Sequence, residues 1–501
     1  MFTKRFFEIM PGVLSWTTLL GIVALSWIFP VFMAMFIIFF DVYWFLKTLY
    51  LSIHLRISYR KMRKNLEVDW LEKLKSDPAT AAWGDLYHLI VFPFYNEPYE
   101  LIKESFDALL KLNYPLDKFI IAIGTEEKAG AQSKETLDRI EQEYARYFFK
   151  LITAVHPKDL PGETPGKGSN EAWIAKQAKE TIIDPLRIPY ERIIVSSFDI
   201  DTQIFPDYFG VLSYTFLTAE NNLRASYLPV PFFLNNIFQA PALARVISFS
   251  ASVYHMMQQA RPHRLTTFSS HSMPFKALVE VGFWKKDIVS EDSQIFWQCY
   301  LHYNGDYRTV PLNYPISMDA NVAPTFWRTM INQYKQQRRW AWGGVENIPF
   351  LMTGFISNKN IPFKQRFSWA FFYIEGFHSW ATNALIIFTL SWLPIVIGGP
   401  DFRFSLISYS LPKVTNMIMN FAAIGIVTSA FLGIVLLPPK PIWFKKYHYA
   451  LYVLQWVFLP ISMIIFGSIP ALDAQTRGVL GGTYRLGFWV TPKHRKTESA
   501  S

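Results

Sequence analysis

From Val13 to Ile53 the chain is apolar, interrupted only by Pro30, Asp41 and Lys47. That is about twice the ~20 residues one membrane-spanning helix needs, so two successive spans are expected. Lys4 and Arg5 precede them and HLRISYRKMRKN, His54 to Asn65, follows. The positive-inside rule then puts both flanks in the cytoplasm. A cleaved signal peptide is not expected, because the apolar part is too long and the second span follows directly. A composition of 51% hydrophobic and only 18% charged residues excludes an ordinary soluble enzyme. The 501 residues still leave room for a complete soluble domain. A single cysteine, Cys299, rules out an internal disulfide framework and points to a reducing compartment. The net charge of +10 fits both anionic lipid at an inner face and an anionic substrate.

Between about Asn65 and Asn360 charged residues return, and short apolar runs alternate with amphipathic stretches. Strands are predicted at Leu86 to Phe94, Lys118 to Gly124, LITAV and RIIVSSF. Helices are predicted after Pro98, over Ser133 to Phe149 and over Asn170 to Leu186. This is an α/β layer with a mainly parallel sheet, whose ligands should lie at the carboxyl ends of the strands. Beyond Phe363, further spans are predicted near Ala381 to Ile397, Val414 to Leu437 and Tyr449 to Phe466. The basic loop PKPIWFKK should be cytoplasmic, yet three spans would put the basic tail TPKHRK outside, against the charge rule.

Carboxylates fall at suggestive places on that map. RIIVSSFDID ends a strand in Asp199 and Asp201, which should share a side-chain direction and suit a divalent ion carrying phosphate oxygens, or else cap the next turn. In VSEDSQIFWQ, Glu291 and Asp292 either sit as favourable charges at a helix start or supply a base to an attacking hydroxyl. PGETPGKGSNEA is a Gly/Pro-rich loop with Lys167 and Asn170 beside ligand-accessible backbone, and lacks the spacing of a phosphate-binding GxxxxGK[ST] loop. KQQRRWAW, Lys335 to Trp342, reads as an interfacial anchor of cations and tryptophans or as part of a site.

The order VFPFYNE, GKGSNEA, FDID, SED, QQRRW on one α/β domain between apolar helices resembles the inverting family 2 glycosyltransferases of the cellulose synthase and hyaluronan synthase kind. The resemblance implies a GT-A (Rossmann-like) cytoplasmic domain inserted between transmembrane α-helices. It also implies a nucleotide-sugar donor, usually a UDP-sugar, with Mg2+ or Mn2+. Under it, Asp199 and Asp201 match the DxD motif that holds metal and donor diphosphate, and Asp292 matches the general base, with Glu291 beside it. Gln336, Arg339 and Trp340 match Q-x-x-R-W, which braces the diphosphate and the acceptor sugar; Lys167 and Asn170 fall near the nucleotide. FWVTPK looks like the gating loop of cellulose synthases, with Phe488, Val490, Thr491 and Lys493 in place. That loop must be cytoplasmic, which requires an even number of spans and a further helix near Phe367 to Ser379 or in Ser468 to Leu486.

Two departures stand out. Where the family carries a nucleobase-reading aspartate, this chain has GTEEKAG, leaving Glu126 or Glu127 to serve; Ser270 and His271 replace the glycine-led acceptor loop. The expected organisation is two N-terminal spans (1–56), a GT-A domain (57–362), an interfacial helix with about three spans (363–470) and a basic tail (471–501). The expected activity is sugar transfer at the plasma (inner) membrane to a growing polysaccharide. The alternatives are single addition to a lipid acceptor and an inactive scaffold of the same fold. Membrane lipid is an expected partner and nucleic acid is not.

Overall fold

The structure, a computed structural model, describes residues 2–487, 489–492 and 495. Two long helices open the chain, α1 (Phe2–Ile28) and α2 (Pro30–Asn65). Alternation follows: β1 (Tyr87–Pro93), α3 (Tyr99–Leu109), β2 (Phe119–Glu126), α4 (Ala131–Tyr144), β3 (Lys150–His156), α5 (Lys167–Ala178) and β4 (Ile193–Ser197). These strands pair in parallel in the order β3-β2-β1-β4. Apolar side chains of β1, β2 and β4 are buried on both faces, which is why they read as unbroken apolar runs rather than alternating ones.

The second half of the sheet is mixed. β5 (Gln203–Ile204), α6 (Tyr208–Thr218), β6 (Ala225–Phe233), α7 (Ala242–Gln258), β7 (His271–Pro274), α8 (Glu291–His302) and β8 (Arg308–Met318) complete it. β7 runs antiparallel to both β4 and β6, and β6 pairs in parallel with β8. Two antiparallel steps restore the direction, so β1, β2, β4, β6 and β8 all end on one edge. Pro93, Glu126, Ser197, Phe233 and Met318 mark that edge, where an α/β sheet binds its ligands.

Helices return with α9 (Phe326–Ser357), α10 (Phe363–Phe388), α11 (Leu406–Val435) and, ending a broken helical run from Lys446, α12 (Ile469–Leu480). Among the described residues, three helical stretches are long and apolar enough to cross a membrane: Thr3–Ile28, Pro30–Asn65 and Lys446–Leu480. Phe363–Phe388 joins Leu390–Ile397 across a 51° bend and passes the same test as a pair. The span expected over Ala381 to Ile397 is therefore the end of α10 plus that bend. Of the segments named as places for a further helix, Phe367 to Ser379 lies within α10, and Ser468 to Leu486 contains α12 and the chain that follows it.

The first and last of these long helices meet. Arg5 donates to the carbonyls of Gly478 and Val479 at 2.8 and 2.6 Å, tying the start of α1 to the end of α12. The tail that follows lies against the sheet domain, with Val490 and Thr491 at the carboxyl edge. Half of the basic tail TPKHRK lies outside the described residues.

Candidate active site

The carboxyl edge of the sheet, the start of α5, the start of α8 and the middle of α9 enclose one pocket. Asp199 and Asp201 stand in the turn after β4 and both line it, but they point to different neighbours. Asp199 accepts from Lys167 Nζ at 2.6 Å and from the Ser269 hydroxyl at 3.0 Å. Asp201 is buried and accepts the Asp319 backbone N–H at 3.0 Å, which fixes it to the end of β8. The common direction expected for the two acids fails because the chain has left the strand by Ser197 and turns.

Asp292 enters from the first turn of α8. It accepts the backbone N–H of Ser269 at 2.9 Å and that of Ser293 at 2.7 Å. Ser269 therefore spans the two acids, giving its hydroxyl to Asp199 and its amide to Asp292. It does so at φ +43°, a left-handed backbone uncommon for a residue with a side chain. His271 helps fix that turn, bonding Ser269 O at 3.0 Å, and burial pushes its imidazole down to about 4, so it stays neutral.

α5 and α8 approach closely because residue 168 is glycine. A Cβ there would lie 2.8 Å from Lys285 O and 2.9 Å from the Glu291 Cβ. Around this contact sit four acids and one cation. Burial works against the Lys167 charge, but Asp199, Glu171, Glu291 and Asp292 outweigh it and hold the ammonium above its usual range. Glu171 is fully buried with neither carboxyl oxygen hydrogen-bonded, and burial pushes it up to about 8, with Lys167 opposing. Glu291 lines the pocket but is buried, and burial followed by the Asp292 charge raises it well above the carboxylate range. Of the two acids of SED, Glu291 is buried among other acids and Asp292 accepts two backbone N–H groups.

Gln336, Arg339 and Trp340 lie at i, i+3 and i+4 on α9 and all face the pocket. Trp340 packs between Phe233 and Phe268, with ring centroids 5.9 and 5.8 Å away. The anchor reading for the rest of KQQRRWAW fails for Arg338 and Trp342, while Lys335 is exposed. Arg338 pairs with Asp473 of α12 at 2.9 Å, and Trp342, 3% exposed, donates to Glu346 at 2.9 Å. Another helix covers the face that the sequence left for a membrane surface. Lys335 stands 5.3 Å from the Trp489 ring.

Asn170 lines the pocket, but its amide donates to the carbonyls of Phe94 and Gly124, holding the ends of β1 and β2. Glu126 lines the pocket, raised by burial against the Gly166 N–H and Lys128. Glu127 does not: its carboxylate accepts the Lys158 N–H at 3.0 Å, outside the pocket, because adjacent residues at a strand end face opposite ways. Val490 and Thr491 close one wall, while Phe488 and Lys493 lie outside the described residues.

Sequence reasoning missed Ser269, Glu171 and the brace beneath Asp292. Glu346 accepts the N–H of Val289 at 3.1 Å, and the N–H and hydroxyl of Ser290 at 3.0 and 2.5 Å. Asn347 adds bonds to Ser293 and Gln294 at 2.8 and 2.9 Å. An acid and an amide inside the apolar run WAWGGVENIPF were the available signal.

The sequence model described as Glycosyl transferase family group 2 matches residues 194–466, more than half of the chain. No curated protein matches. Among solved structures, a mannosyltransferase from Pyrobaculum calidifontis in complex with GDP-Man and Mn2+ is 14% identical at TM-score 0.38, covering 82% of this chain and 99% of that one. S. aureus TarS 1-349 is 10% identical at TM-score 0.34, covering 68% and 90%. GalNAc-T7 with UDP, GalNAc and Mn2+ is 11% identical at TM-score 0.34, covering 58% and 57%. With the α/β sheet of GT-A type and its pocket at the strand ends, the chain belongs to glycosyl transferase family group 2.

Proposed function

We propose that the protein is a membrane-embedded, inverting glycosyltransferase that moves a sugar from a nucleotide-sugar to an acceptor hydroxyl on the cytoplasmic side of the plasma (inner) membrane. The observation that carries this reading is the convergence of Asp292, Asp199, Lys167, Arg339 and Trp340 on one pocket. An acceptor ring stacks on the Trp340 indole with its hydroxyl toward Asp292. That hydroxyl oxygen bonds to the anomeric carbon as the bond from that carbon to the diphosphate breaks, and its proton passes to Asp292. One displacement inverts the anomeric configuration. Arg339 and Lys167 balance the charge gathering on the leaving diphosphate.

A divalent ion fits this donor set. Asp199 and Asp201 offer hard carboxylate oxygens, and among the described residues no group of three His, Cys, Asp or Glu side chains gathers to hold an ion unaided. Such a pair suits Mg2+ or Mn2+ that takes its remaining ligands from phosphate and water. Bound there, the ion would supply charge stabilisation to the leaving group.

With Glu126 at the nucleobase end, UDP-sugars are the first donors to test. A panel of nucleotide-sugars read by mass spectrometry should show one donor consumed with release of its nucleoside diphosphate. Asp292→Asn should stop transfer, a loss of about 100- to 10,000-fold for a general base, while nucleoside diphosphate binding stays. Equal turnover in parent and variant would reject the assignment. A polymer ladder among the products supports polysaccharide extension, whereas one organic-extractable product supports single addition to a lipid. A scaffold without activity predicts no donor consumption by the parent.

A further inference from the structure

Where α2 and α10 pass the loop after α7, cations gather without acidic partners of their own. Arg261, 6% exposed, lies 5.5 Å from the Tyr50 ring of α2 and 6.0 Å from the Phe372 ring of α10. Arg264, exposed, lies 4.5 Å from the same Phe372 ring. Among the described residues neither guanidinium is in an ion pair, and the buried Nε of Arg261 has no hydrogen-bond partner. The neighbouring carboxylate, Glu375, is engaged by Lys47 and Ser379, each at 2.7 Å. His54 and His263 stand in the same patch. Three permanent positive charges thus face one negative charge. A nearly buried arginine without a counter-ion is costly, and its planar fork matches a phosphate.

The surroundings of the patch are apolar and open. Leu49, Ile53 and Ile57 of α2 are exposed on one side, and Phe363, Phe367 and Phe371 of α10 on the other. A ligand that satisfies both features is an amphiphile with phosphate on the arginines and chains along the exposed stripes.

Two contact paths lead from the patch to the reaction pocket. Arg261 bonds Gln258 at 3.2 Å, and Gln258 bonds the Tyr254 hydroxyl at 2.8 Å. The next residue, His255, stacks on Phe268 at 4.2 Å, and Phe268 meets Trp340. On the other path, Tyr373 follows Phe372 and bonds Asn347 at 3.3 Å, which bonds Ser293 beside Asp292.

We propose that the acceptor is a lipid whose phosphate rests on Arg261 and Arg264 and whose hydroxylated headgroup reaches over the aromatic floor to Asp292. The step is the one given above: the headgroup oxygen bonds to the anomeric carbon, nucleoside diphosphate leaves with the broken bond's electrons, and the proton goes to Asp292. This inference rests on the transfer reading.

The test uses the full chain in phosphatidylcholine nanodiscs doped with phosphatidylinositol or with a neutral glycosyl diacylglycerol, which carries a hydroxylated ring without phosphate. Retained lipid is read by native mass spectrometry, and sugar transfer as donor label entering the organic phase. Phosphatidylinositol should be retained preferentially. Arg264→Glu and the milder Arg261→Gln should each weaken that retention about tenfold, with nucleoside diphosphate binding unchanged as proof of folding. Soluble inositol phosphate should compete only weakly, since it lacks the chains; competition equal to that of the lipid overturns the lipid assignment. Equal retention of the neutral glycolipid, or retention insensitive to both variants, also overturns the proposal. Selective retention by a protein that labels only other acceptors makes this a bilayer-lipid site and overturns the acceptor role. Selective retention by a protein that binds no nucleoside diphosphate supports the phosphate site and strikes the transfer reading instead.

Discussion

Lys167 donates to Asp199 at 2.6 Å, so the first acid of the FDID turn is held by a cation at the start of α5. The same ammonium also opposes the effect of burial on Glu171. Lys167→Ala should weaken nucleoside diphosphate binding about 10- to 100-fold, the worth of one charge-assisted hydrogen bond. Calorimetric titration measures this, and affinity equal to the parent's would reject the role.

Asp201 offers a different test because its backbone-facing oxygen already has a task. In Asp201→Asn the side-chain carbonyl still accepts the Asp319 N–H, so the fold at the end of β8 should hold. What goes is the charge. Binding of a nucleoside diphosphate should then lose most of its enhancement by Mn2+, and an enhancement the size of the parent's would count against Asp201 as a ligand.

Glu346 holds the loop that carries Asp292, the proposed base, without lining the pocket itself. Glu346→Ala should lower kcat about 100-fold, the scale of a base displaced by about 1 Å, and leave the donor Kd within twofold of the parent's. Glu346→Gln keeps one acceptor and should recover part of the rate. A variant that loses donor binding and rate together would show general damage to the site instead.

Glu171 gives a pH signature. Its folded value of about 8 lies above the ordinary 4.5, because burial disfavours the charge. The unfolded chain therefore releases this proton first, and stability contributed by the neutral acid is complete below about 4.5 and lost as pH rises toward 8. Thermal unfolding midpoints should fall over that window, and Glu171→Gln should flatten the fall. An unchanged slope in the variant would assign the trend to other groups.

The first four strands were readable because each is a continuous apolar run closed by Gly, Pro or a charged turn. β7 was not: four residues, His271–Pro274, with two polar side chains carry too little pattern, and they become a strand only between β4 and β6. Missing it made the sheet look more parallel than it is. The acids of the site were readable from their order along the chain. Ser269 was not, since its role depends on a left-handed turn that brings Asp199 and Asp292 within reach of one residue. Glu126 and Glu127 were indistinguishable until the strand end was placed. Arg338 and Trp342 looked like membrane anchors because nothing local in KQQRRWAW announces α12 across from it.

α9 has one property that its separate contacts do not reveal. Within about three turns it carries Gln336, Arg339 and Trp340 into the pocket, Arg338 onto α12, and Glu346 under the loop of Asp292. These groups share one helix backbone, with Gly343 and Gly344 between Trp340 and Glu346 and Pro349 just beyond. A slide or roll of α9 against the sheet would therefore move Gln336, Arg339 and Trp340 in the pocket together with the support under the loop of Asp292.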